Sequence, residues 1–170
     1  MPQTHVAIIS GRSLRDLASV VGFSDEVHLV GSHGSEFDAD FVHRLDPGLV
    51  DLRDRVRDEL VVIAATESGF FVEEKPANIA FHFRGANEEF ATRAVEAVLR
   101  GPASDPRIHV KRGKSVVELS VVPTDKGKAL AAIRHRVGAT AARWADSSDL
   151  QGCGLVIAFV HTHRFLSSAL

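Results

Sequence analysis

The chain has 170 residues, is 45% hydrophobic and 25% charged, and carries a formal net charge of -2. That profile is an ordinary globular one, long enough for one domain or two small lobes, and it argues against a nucleic-acid binder, which would carry a basic excess. The longest apolar run near the end, 154–160, is too short to span a bilayer, and the single cysteine, Cys153, rules out an internal disulfide and points to the cytosol.

The first five residues show no basic region followed by an apolar core, so no secretory signal is expected. Residues 5–9 (HVAII) form a short β-branched run ending at Ser10-Gly11, a breaker pair, and predict a strand. A helix follows, with Ser13 as N-cap, Asp16 as its capping-box-like partner, Leu14, Leu17, Val20 and Val21 on one face, and Gly22 as the stop. Residues 27–30 (VHLV) are a second buried strand, closed by Gly31-Ser32-His33-Gly34. Strand, helix, strand is a parallel βαβ unit, and such sheets place ligands at the C-terminal ends of the strands, here Ser10 and Gly31.

The middle of the chain changes character. Residues 47–65 read as a helix, 70–75 and 78–84 as strands joined at Pro76-Ala77, and 87–99 as a second helix with Asn87 as N-cap and Gly101-Pro102 after its end. Strands at 108–111 and 115–122 complete an α+β lobe whose antiparallel sheet is covered by helices on one face. Residues 124–137 predict a long helix ended by Gly138. From 142 to 170 the pattern breaks down; a buried strand at 155–160 fits, but the segment lacks the periodicity to dock on a sheet.

Strand side chains alternate faces. Glu73 and Lys75, then His82 and Arg84, then Lys114 and Glu118 therefore share one sheet face, opposite Val72, Ile79, Phe81, Phe83, Val117 and Leu119. This charged face is either a solvated outer surface or a polyol-binding one, since hydroxyl-rich ligands need convergent charged donors and acceptors. Lys126 and Lys128 stand in the first turn of the helix at 124, where the helix dipole disfavours cations by ~0.3–1 kcal/mol. Either exposed lysines tolerate that cost, or a bound anion offsets it, with Gly127 allowing close approach. Ser10-Gly11 is likewise either a plain turn or a hydroxyl and backbone N–H offered to a phosphate. His161 and His163 have strand-compatible metal spacing but no acidic or cysteine partner other than Cys153, and nothing marks Cys153 as an activated nucleophile.

Five strings, VAIISGRSLRDL (6–17), HLVGSHGSEF (28–37), FVEEKPANIAFHFR (71–84), GKSVVEL (113–119) and DKGKAL (125–130), resemble, in order and spacing, the trehalose-phosphate phosphatases of the haloacid dehalogenase superfamily. The resemblance implies an α/β fold: a partial Rossmann-like core (1–37), an inserted α/β cap (38–123), a return helix to the core (124–141) and a divergent tail (142–170). It implies hydrolysis of trehalose 6-phosphate to trehalose and phosphate through a phospho-aspartyl intermediate with magnesium assistance. It assigns Ser10 and Lys126 to holding and neutralising the phosphoryl group, Gly11 and Arg12 to substrate binding beside them, and Glu73, Lys75 and Glu118 to the trehalose hydroxyls. The partner is a small molecule, with no nucleic acid and no membrane.

Two features of the family are absent. The DxDGT motif, which supplies nucleophile, acid/base and part of the magnesium site, belongs upstream of Val6, and the GDDxTDE motif, which supplies the remaining carboxylates, belongs shortly after Ala141, where the sequence reads ARWADSSDLQGCGLVIAF. Asp146 and Asp149 do not have the required arrangement, so no metal ligand is assigned. The expectation is a gene fragment with a shifted reading frame, inactive by itself. A non-catalytic sugar-phosphate-binding remnant and a phosphatase for another sugar phosphate are the other readings.

Overall fold

In the computed structural model, which describes residues 3–22, 27–38, 40–146 and 156–162, the first apolar run is strand β1 (Gln3–Ile9). Ser13 then starts helix α1 (Leu14–Val21): its Oγ accepts from the Asp16 N–H at 3.1 Å, satisfying a backbone donor that the helix leaves open. Of the predicted apolar face, Leu17 is buried together with Ala18, whereas Val20 and Val21 are exposed. Two turns of helix bury one narrow stripe, and the stripe is centred on 17 and 18 instead of 20 and 21. Strand β2 (Val27–Val30) runs parallel to β1, with Val6 opposite Val27 and Ile9 opposite Val30.

Helix α2 (Pro47–Ala64) begins at Asp46, whose carboxylate accepts from Gly48 N at 2.8 Å. Strand β3 (Phe71–Glu74) pairs antiparallel with β4 (Asn78–His82). The predicted first strand thus ends one residue early. Pro76 has no N–H to extend the ladder, and Lys75 N instead donates to Asn78 O at 2.9 Å, closing the turn. Helix α3 (Glu88–Arg100) is capped by Asn87, which accepts from Glu89 N at 2.9 Å. Strands β5 (His109–Gly113) and β6 (Val116–Ser120) complete a sheet of order β3-β4-β6-β5. Its apolar face, Ile79, Phe81, Val117 and Leu119, packs with Leu52, Val56 and Leu60 of α2 and Ala94 and Val98 of α3 into one core. Each fully buried Leu, Ile or Phe there contributes about 1.5–3 kcal/mol.

Helix α4 (Lys126–Arg136) starts at Asp125, whose side chain accepts from Lys128 N at 3.0 Å. The chain then forms β7 (Ala141–Asp146) and β8 (Val156–Thr162), and the second sheet has the order β2-β1-β8-β7. β8 is antiparallel to both neighbours, Ile8 facing Ile157 and Trp144 facing Ala158. For 142–146 and 156–162 this corrects the reading of 142–170 as a tail that cannot dock. Ala158 and Val160 are buried with Ala7, Ile9, Val30, Ala129 and Ile133, so β8 carries a period-2 core pattern. The pattern was hidden because the intervening residues, Ile157 and Phe159, are apolar too. Cys153 and His163 lie outside the described residues.

The contacts divide the chain into two compact units, Met1–Ala39 with Asp125–Leu170, and Asp40–Thr124. The fold is mixed α/β, with one four-stranded sheet in each unit. Among the described residues no helix is long and apolar enough to cross a membrane.

Candidate functional site

In the unit Asp40–Thr124, antiparallel pairing sets Glu73 opposite Ala80 and Ala80 opposite Glu118, so the two glutamates flank one small residue on the face away from the helices. Lys75, in the turn just past β3, reaches back between them. Its Nζ lies 3.0 Å from Glu118 Oε1 and 3.6 Å from Glu73 Oε2, and the side chain is 6% exposed. A lysine this buried persists because it is paired. The three predicted cap residues therefore form one ion-pair network.

That network has a member that strand alternation alone could not connect. The His82 ring Nε2 lies 2.9 Å from Glu73 Oε2, on the oxygen that also faces Lys75. The pairing of Phe71 with His82 places an exposed aromatic ring 5.8 Å from the imidazole, centroid to centroid. Asn78, buried in the adjoining position, has an Oδ1 that finds no donor among the described residues. Carboxylates, a cation, an imidazole and an aromatic ring thus share one sheet face, a set of groups able to meet hydroxyls and C–H faces.

In the other unit, the C-terminal ends of β1 and β2 are tied together by their loops. Ser10 N donates to Val30 O at 2.9 Å, His33 N donates to Ser10 O at 2.8 Å, and Ser32 N donates to Arg12 O at 2.7 Å. The Ser10 hydroxyl, 1% exposed, accepts from Arg12 N at 3.2 Å. Ser32 (φ 47°) and His33 (φ 57°) are successive non-glycine residues in left-handed backbone, a conformation costing on the order of 1–3 kcal/mol each. A Cβ at Gly11 would fall 2.5 Å from His33 Cε1, so only glycine lets that ring lie against the Ser10 turn. Gly34 (φ 106°) is packed so that a Cβ would fall 2.7 Å from Asp125 O, which brings the same loop against the start of α4, where Lys126 is the first residue. Glu36 braces the arrangement from below. Its Oε2 accepts from Leu14 N at 2.8 Å and from Ser32 Oγ at 3.0 Å, and burial pushes its carboxyl above the usual range, partly offset by those two hydrogen bonds. Ser10, Gly11, Arg12 and Lys126 thus gather around one loop, Gly31–Glu36.

A sequence model of the trehalose-phosphatase family matches residues 1–151. The chain belongs to the trehalose-phosphatase family. It is 34% identical over 137 residues to the trehalose-phosphate phosphatase of Mycobacterium marinum, an alignment that covers 75% of this chain and 34% of the relative. It is 32% identical over 134 residues to the bifunctional trehalose-6-phosphate synthase/phosphatase of Thermoproteus tenax, covering 76% of this chain and 18% of that protein. The chain thus spans about a third, or less, of the length of these relatives. Its fold is that of the C-terminal domain of the Candida albicans trehalose-6-phosphate phosphatase, with a TM-score of 0.59 at 21% identity, covering 72% of this chain and 45% of that one. A trehalose-6-phosphate phosphatase related protein gives a TM-score of 0.54 at 19% identity, covering 76% of this chain and 56% of that one.

Magnesium is expected for a trehalose-phosphatase. Among the described residues no group of three or more His, Cys, Asp or Glu side chains converges as a metal site. The carboxylates that do come together, Glu73 and Glu118, already hold Lys75 between them. His161 is engaged otherwise: its Nδ1 lies 3.0 Å from Thr4 Oγ1. The described residues therefore do not fit the metal, and no chemical step is routed through it.

Proposed function

We propose that this chain is the sugar-phosphate-recognising part of a trehalose-6-phosphate phosphatase acting in the cytosol. The observation that supports this reading is the Glu73–Lys75–Glu118 network, which fixes charged groups together on the sheet face away from the helices. In it, Glu73 and Glu118 accept from sugar hydroxyls and Lys75 donates, each group held by its neighbours before the ligand arrives. Ser10 donates its hydroxyl proton to a phosphoryl oxygen, Gly11 lets the ester approach the backbone, and Arg12 and Lys126 balance its charge. Magnesium, in a complete enzyme, would stabilise charge on the phosphoryl group.

None of these residues can attack phosphorus. The nucleophile and acid/base carboxylates of the DxDGT motif do not occur in this sequence, so the 170-residue chain binds the ester without hydrolysing it. The single cysteine supports the cytosolic setting. The test is a titration of the purified chain with trehalose, glucose and glycerol, followed in amide NMR spectra. Shifts for trehalose that glucose does not reproduce, and that Glu118→Gln removes, support the reading. Equal responses to all three polyols would refute a trehalose site.

A further inference from the structure

Nothing in the family motifs quoted above gives His33 a role, yet its ring lies against the Ser10 turn and its loop packs on Asp125, the residue before Lys126. Its ring lies against Gly11, so close that a Cβ at 11 would push it from this position. Its backbone N–H holds Ser10 O at 2.8 Å. Its neighbour Gly34 packs on Asp125, the cap of the helix that Lys126 opens. The residue is only half-buried. Its left-handed backbone (φ 57°, ψ 24°) is one that asparagine, aspartate, histidine and glycine adopt more readily than other residues, so asparagine or glycine can take its place without disturbing the turn.

We propose that the His33 imidazole is a further phosphate-ester-binding group, donating a ring N–H to a phosphoryl oxygen beside the Ser10 hydroxyl. The inference rests on the reading of Ser10 and Lys126 as a phosphate site and extends it to a third side chain. An imidazole suits the position because at least one ring nitrogen carries a proton in either charge state. The ligand class is a phosphate monoester. The loop 31–36 sits at the ends of two parallel strands, where ligands of open α/β sheets are bound. The strain in Ser32 and His33 then has a use, since it turns the ring toward the Ser10 turn.

The test is a ³¹P NMR titration of trehalose 6-phosphate with the 170-residue chain, its His33→Asn, His33→Gly and Lys126→Ala variants, and a parallel amide-NMR titration with unphosphorylated trehalose. Asparagine and glycine both tolerate the left-handed backbone, so each removes the ring while preserving the turn. Both variants should bind the phosphate ester about tenfold more weakly, the loss expected for one hydrogen bond to a charged group, and bind trehalose as the parent does. If Lys126→Ala weakens ester binding while both His33 variants bind like the parent, His33 is only a backbone residue and the inference falls alone. If the His33 variants weaken trehalose as much as its phosphate, the effect is structural and the inference also falls. If the parent leaves the ester resonance unmoved, or Lys126→Ala binds as the parent does, the phosphate site falls and His33 with it.

Discussion

Lys75→Met removes the cation from the Glu73–Glu118 face while keeping the length of the side chain. At 3.0 Å, with an effective dielectric of about 20, the gross attraction between Lys75 and Glu118 is about 5 kcal/mol, most of it offset by the desolvation of both groups. Deleting one partner of a buried pair costs about 3–5 kcal/mol, because the other charge stays buried and unpaired. Here the discount is large: the Glu73 side chain is 33% exposed and Glu118 13%, so water screens part of what remains. The expected loss is about 2 kcal/mol. For a unit the size of Asp40–Thr124 that lowers the melting temperature by about 10 °C. Urea and thermal unfolding followed by circular dichroism measure it, and the same melts on Glu118→Gln and on the double variant close a double-mutant cycle. A coupling energy of about 1–2 kcal/mol is expected, since the double variant leaves fewer unmatched charges than Lys75→Met alone. A Lys75→Met protein within about 0.5 kcal/mol of the parent, or a coupling near zero, would refute the claim that this pair organises the sheet face.

Three further outcomes are expected. Gly11→Ala would put its Cβ within 2.5 Å of His33 Cε1, so it should push the half-buried ring aside at little cost in stability and weaken ester binding; ester binding unchanged from the parent would show that the ring is not needed where it lies. Glu36 has its carboxyl raised by burial, so the folded chain binds more protons than the unfolded one just above the ordinary carboxylate range, and stability falls as pH rises through that window. Glu36→Gln should flatten the fall in urea unfolding measured across it, and an unaltered slope would assign it to another group. His28 has its imidazole lowered, by burial first and then by His5 and Arg136, so the folded chain binds fewer protons and stability is lost as pH falls through the ordinary histidine value of 6.5; His28→Phe should remove that loss, and a chain that still loses it must owe it elsewhere.

What was legible in the sequence was mostly local. Ser13, Asn87 and Gly22 mark helix ends by chemistry that needs no distant partner, and each stands where its type predicts. The polar sheet face was legible because strands alternate, and the alternation holds in 116–119. The bond from His82 to Glu73 was not, since it depends on the register that sets Phe71 against His82. The pairing of β7 with β8 is not legible for a different reason: 156–160 is apolar throughout and gives no in-out contrast to read. The glycines of Gly31-Ser32-His33-Gly34 mark the end of β2, but the left-handed backbone at Ser32 and His33 goes with bonds to Arg12 and Ser10. Strain supplied by distant hydrogen bonds leaves no mark on local sequence pattern.

Binding without turnover is tested most directly by one ³¹P NMR time course of trehalose 6-phosphate with the purified chain and magnesium, run beside Lys126→Ala. The ester resonance should shift or broaden with the parent chain, and no inorganic phosphate peak should grow, because removing a nucleophile from a catalytic unit costs on the order of 10⁶ in kcat. An inorganic phosphate peak that grows with the parent and not with Lys126→Ala would contradict the claim, and so would an ester resonance that the parent chain leaves unmoved.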